Sequence, residues 1–78
     1  MTVRVVFRDF AETWEEEVSS RAPLTCREAA IAALERRGKA APRGLGGLVF
    51  MTDGKRLTPE TLLADGDSIT AVVLVGGG

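Results

Sequence analysis

No histidine occurs anywhere in this chain, which removes every mechanism that uses an imidazole as proton carrier or metal ligand. Cysteine is nearly absent too. Cys26 stands alone, so no disulfide framework and no Cys/His zinc or iron–sulfur site can be assembled within one chain. A dominant charge of either sign is also lacking. Ten basic and eleven acidic residues leave a net charge of −1, which argues against a nucleic-acid footprint and points to proteins as partners. No apolar run approaches the ~20 residues that span a bilayer, and Met1-Thr2-Val3-Arg4 lacks the long apolar segment of a secretory signal. The expected localisation is cytoplasmic. At 78 residues the chain makes one domain that buries roughly 60 % of its unfolded surface, and a deep catalytic cleft is not expected at that size.

What the chain does have is an unusual end. Asp65-Gly66-Asp67 is a turn signal, because glycine takes φ > 0 freely and each aspartate can bond nearby backbone. The β-branched run over residues 68–75 then reads as a strand. Alternation puts Ile69, Ala71, Val73 and Val75 on one face and Thr70, Val72 and Leu74 on the other. Both faces are apolar toward Gly76-Gly77-Gly78. Glycines cannot pack and lose the most entropy on ordering, so stability gives no reason for them. Reach does: a carboxylate without neighbouring side chains enters a channel too narrow for other residues.

In chain order, residues 2–8 read as a first strand with Val3, Val5 and Phe7 on one side and Arg4, Val6 and Arg8 on the other. A hairpin loop over residues 9–13 leads to a returning strand over residues 14–20, whose Glu15, Glu16 and Glu17 suit an exposed edge. The other readings of those glutamates are an acidic docking patch or paired catalytic carboxylates. Thr25-Cys26-Arg27-Glu28 has capping-box spacing and opens a helix that Gly38 closes after Arg36 and Arg37. Its inward stripe is Cys26, Ala30, Ala33 and Leu34, with Ile31 off it. Cys26 is either a packed apolar residue or a thiol activated by the helix N-terminus. Residues 39–47 are loop, residues 48–52 a third strand, and Asp53-Gly54 a hairpin turn into a short strand at Lys55-Arg56-Leu57. Thr58-Pro59-Glu60 predicts a brief helical turn that carries Leu62 and Leu63 under the sheet.

The last strand is apolar on both faces, so it belongs near the sheet centre, beside and parallel to the first. The expected fold is α+β, a ubiquitin-like β-grasp with a mixed four- to five-stranded sheet and one main helix. Residues 1–75 form the β-grasp domain and residues 76–78 a flexible C-terminal glycine tail.

Leu62-Leu63-Ala64-Asp65-Gly66-Asp67-Ser68-Ile69, followed at a set spacing by Gly77-Gly78, resembles the ubiquitin-like sulfur carriers of the MoaD/ThiS type. Thr25-Cys26-Arg27-Glu28-Ala29-Ala30 is similar to that family's helix opening. Gly76 makes the ending look more like the thiamine thiazole carriers, whereas the long first hairpin looks more like the molybdopterin synthase small subunits. Val73-Leu74 stands where the latter often carry Pro-Pro.

The resemblance implies a carrier and not an enzyme, with no catalytic residue, metal or bound cofactor of its own. An E1-like adenylyltransferase would use ATP and magnesium to convert the Gly78 carboxylate to an acyl-adenylate. A sulfur donor would then displace AMP and leave a thiocarboxylate, which an acceptor synthase consumes in cofactor or metabolite biosynthesis. Gly76 and Gly77 thread the partner's site. Two other functions stay open: a protein modifier joined through Gly78 to target lysines, and a β-grasp interaction module whose glycines are an idle terminus. Strand alternation leaves Val72 and Leu74 on the face without a helix, an exposed apolar patch suited to partner docking, unless Phe10, Trp14 or the loop at residues 39–47 folds over it.

Overall fold

A computed structural model describes residues 1–9, 12–39 and 47–73. Within them lie strands β1 (Thr2–Arg8), β2 (Thr13–Ser19), β3 (Leu48–Thr52), β4 (Lys55–Leu57) and β5 (Ser68–Val73), and one helix, α1 (Cys26–Arg37). The sheet order is β2-β1-β5-β3-β4. β1 and β5 run parallel, and every other neighbouring pair is antiparallel. This is the ubiquitin-like β-grasp, with β5 at the centre and the glutamate-bearing β2 at an edge. β2 starts one residue earlier than its sequence suggests, at Thr13, because Thr13 pairs with Arg8 and completes the ladder.

The alternation of β1 decides which side is the core. Val3, Val5 and Phe7 are buried to 1 % exposure or less, each worth roughly 1.5–3 kcal/mol of burial. Ile69 and Ala71 of β5, Leu48 and Phe50 of β3, and Trp14 and Val18 of β2 join them. α1 covers this side. Ala29, Ala30 and Ala33 are wholly buried, and their short side chains let the helix approach the sheet closely. Ala29 belongs to the inward stripe alongside the residues that the sequence singles out.

Both ends of α1 follow from local chemistry. The Thr25 hydroxyl accepts from the Glu28 amide at 3.1 Å, and the Glu28 carboxylate accepts from the Thr25 amide at 2.9 Å, which closes the capping box. Gly38 ends the helix at φ 72° and donates to Glu35 and Leu34 carbonyls. Beyond it, Lys39 meets Glu12 at 2.7 Å and holds that carboxyl below its usual range, first by hydrogen bonding and then by charge. Trp14 stacks on Phe7 with ring centroids 4.4 Å apart. The Arg37 guanidinium and the Lys39 ammonium lie over the indole at 5.0 and 5.5 Å, a cation–π arrangement that ties the helix end to β2.

The helical turn expected at Thr58-Pro59-Glu60 does not form. The Thr58 carbonyl instead accepts from the Thr61 amide at 3.1 Å in a tight turn. From there the chain runs extended beside the entrance to α1. Thr61 accepts from the Cys26 amide at 3.0 Å, Pro59 from the Arg27 amide at 3.0 Å, and Leu63 donates to Leu24 at 2.8 Å. First-turn helix amides have no partner within their own helix, and this segment supplies their acceptors. Extended backbone points neighbouring side chains oppositely, so Leu63 is 6 % exposed while Leu62 is 67 % exposed. Only one of the two leucines expected under the sheet is there.

Cys26 is a packed core residue. Its side chain is fully buried, and that burial pushes the thiol pKa up. This sets aside the activated-thiol reading, since a reactive cysteine needs stabilised thiolate.

Candidate functional site

The motif Asp65-Gly66-Asp67 is a staple between the start of β5 and the start of β1. Gly66 adopts φ 87°, a conformation that favours glycine. Its amide donates to Thr2 at 2.8 Å, and the Arg4 amide donates to Asp67 at 2.9 Å. Asp65 Oδ1 accepts from the Thr2 amide at 2.7 Å, and Asp67 Oδ2 accepts from the Ala64 amide at 2.8 Å. Both carboxylates are thus engaged with backbone. Their work is to set β5 parallel to β1 in the register Arg4↔Ser68 through Arg8↔Val72.

That register places the candidate site residues. Core-side and outer residues alternate along β5, with Ile69 and Ala71 inward and Thr70 and Val72 on the face that α1 does not cover. Val72 is beside Arg8 of β1 and Val49 of β3. It is half-buried rather than exposed, because its cross-strand neighbours flank it on both sides. Trp14 does not cover it. The indole pairs with Phe7 on the core side. Leu74, Gly76, Gly77 and Gly78 lie outside the described residues, as do Phe10 and residues 40–46.

Around Val72 the ladder collects residues that no local motif announces. Val6 and Met51 flank Thr70, and Val49 flanks Val72, and all are half-buried. Arg8 stands beside Val72, and Arg56 of β4 pairs with Met51. Across β2 the same face carries Glu15 opposite Val6 and Glu17 opposite Arg4. Arg4 and Glu15 approach to 3.8 Å with both side chains more than half exposed, a pairing worth little in water. Arg8, Met51, Thr70 and Val72 line a shallow depression closed at one end by the Asp53-Gly54 turn. The face is therefore an apolar strip bordered by charge. Val6 was legible as an outward residue of its own strand, but its meeting with Thr70, Met51 and Val49 depends on strand order.

Among the described residues, no group of three or more His, Cys, Asp or Glu side chains comes together as a metal-ligand set, and no helix is long and apolar enough to cross a membrane. The three glutamates of β2 do not converge on a site either: Glu15 and Glu17 are on the outer face, and Glu16, opposite Val5, is on the other.

No family model matches the chain, and no curated protein matches it. Among solved structures it is similar to SAMP1 from Haloferax volcanii, with a TM-score of 0.60 and 19 % sequence identity over 96 % of this chain and 99 % of that one. A likeness at that identity is one of fold, and it extends over nearly the whole of both chains: this protein is a ubiquitin-like β-grasp.

Proposed function

We propose that this chain is a ubiquitin-like sulfur carrier whose Gly78 carboxylate, taken as the terminal group, is adenylated and then converted to a thiocarboxylate. The observation that supports this reading best is the seat of β5. It is bonded on both sides, parallel to β1 and antiparallel to β3, so whatever follows Val73 is attached to the middle strand of the sheet. A tail anchored there can be presented at a fixed position relative to a docking face. Val72, with Leu74 beyond it in sequence, would contribute to that face, and Gly76 and Gly77 would thread the activating site.

The chemistry requires a partner. A carboxylate resists nucleophilic attack because of its charge and its poor leaving group. An E1-like adenylyltransferase, with ATP and magnesium, would transfer AMP to the Gly78 carboxylate and release pyrophosphate. Sulfide would then displace AMP and leave the thiocarboxylate directly, whereas a persulfide donor would leave an acyl disulfide that a second thiol must cleave to release it. The carrier supplies the acyl group and the docking surface, and the partner supplies nucleotide site, metal and base.

The experiment is intact-mass spectrometry after incubation with an E1-like adenylyltransferase, ATP, magnesium and sulfide. The expected result is the mass gain from replacing one oxygen by sulfur, reversed on hydrolysis. Adduction of the chain to a lysine of another protein, without that gain, would favour the modifier function instead. An unchanged mass with a demonstrably active adenylyltransferase would count against both.

A further inference from the structure

We propose that the helix-free face of the sheet is a self-association surface, on which a second copy of the chain sits face to face about a two-fold axis running along β5. The charge pattern across the face carries this. Reading across one row of the ladder, Glu15 of β2 is followed by Val6, Thr70, Met51 and then Arg56 of β4. The row is acidic at one end, basic at the other and mostly apolar between. Rotation about β5 exchanges its two ends. Glu15 of each copy then lies over Arg56 of the other, Val6 over Met51, and Thr70 and Val72 over their own counterparts. Two residues along β1 from Val6, Arg4 is level with Ser68, and the β3–β5 register continued past Met51↔Thr70 brings Asp53, which lines this face with Met51 and Thr70, to the same level. The same rotation sets Arg4 over Asp53.

A face of this kind is self-complementary in an isologous dimer, where each contact occurs twice. Other orientations lose this match: rotation about an axis across the strands lays each edge over itself, glutamate on glutamate. Size sets the strength. Five strands and about five residues along them cover roughly 20 by 17 Å, about 340 Å² in plan. That is less than half of the ~800 Å² per partner of a standard stable interface, so the dimer is weak and reversible. It also uses Val72, which the carrier reading assigns to partner docking, so self-association and docking would exclude each other. The dimer itself needs no partner, and its test is independent of sulfur chemistry.

Sedimentation equilibrium of the purified chain at low ionic strength is expected to show a monomer–dimer equilibrium with a Kd of roughly 100 µM. Added salt should weaken it several-fold, as screening of the bordering charges predicts. Glu15→Arg and Arg56→Glu should each weaken the dimer by about tenfold or more, and the double variant Glu15→Arg/Arg56→Glu should return it to within about threefold of the original. Both positions are on the surface, and Trp14 fluorescence reports whether each variant is folded. A chain that stays monomeric to about 1 mM would overturn the proposal. A dimer indifferent to the single reversals, or one that the double reversal fails to restore, would overturn it equally.

Discussion

At the scale of the residue, burial decides what Cys26 can do. The thiol is enclosed by the core, so its ionised form is disfavoured and its pKa rises. The sign of the pH effect follows. An unfolded chain releases this proton near the ordinary thiol value of about 8.5, while the folded chain holds it to higher pH. The stabilisation is complete below the unfolded value and is lost as pH rises through the folded one. Tyrosine is absent, so fewer groups compete in that range. Urea unfolding from neutral to alkaline pH should show wild type losing stability relative to Cys26→Ala, and a pH-independent difference would contradict the assignment. Leu62 and Leu63 make the complementary test. Leu63→Ala should destabilise by about 2–4 kcal/mol through transfer and cavity terms, whereas Leu62→Ser should stay within about 0.5 kcal/mol, as surface changes do. Equal effects in urea melts would mean that the extended segment does not point these two side chains oppositely.

At the scale of the element, α1 was legible almost to the residue. The capping box, the alanine-rich interior and the Gly38 stop each act within a few residues, and no tertiary contact is needed to read them. Thr25→Ala removes the hydroxyl half of the box and should cost about 1 kcal/mol, seen as a fall of roughly 4–8 °C in Tm for a domain this small. No shift in Tm would indicate that the amides find other acceptors. Residues 58–63 show the opposite case. Thr58-Pro59-Glu60 carries the same local signals as a helix start, yet the chain makes a single tight turn and then runs extended, and the Cys26 and Arg27 amides take the Thr61 and Pro59 carbonyls at 3.0 Å each. Those donors are more than thirty positions away in sequence, beyond the reach of any local rule.

At the scale of the whole molecule, β5 joins the fold to the proposed function. A tail that contributes reach and not packing should be dispensable for stability. Deleting Gly78, or appending one residue after it, should abolish AMP transfer from the adenylyltransferase while leaving the melting temperature unchanged. Normal transfer to the extended protein, with proteases absent, would sink the carrier reading. Loss of folding on deletion would show instead that the glycines take part in the structure.

The sequence by itself determined the five strands and the helix, the inward and outward faces of β1 and β5, and the fold class. Each of these rests on periodicity, capping or turn chemistry within a short window. It determined that β5 is central, since a strand apolar on both faces is excluded from an edge. Tertiary structure alone decided which outward residues meet. Val6, Thr70 and Met51 come from three strands far apart in the chain, and they form one row because β5 is inserted between β1 and β3. It also decided that Val72 is half-buried and that the Asp65 and Asp67 carboxylates are spent on backbone amides. A side chain's exposure depends on the neighbours that the register brings to it, and register is a property of paired strands, not of either strand alone.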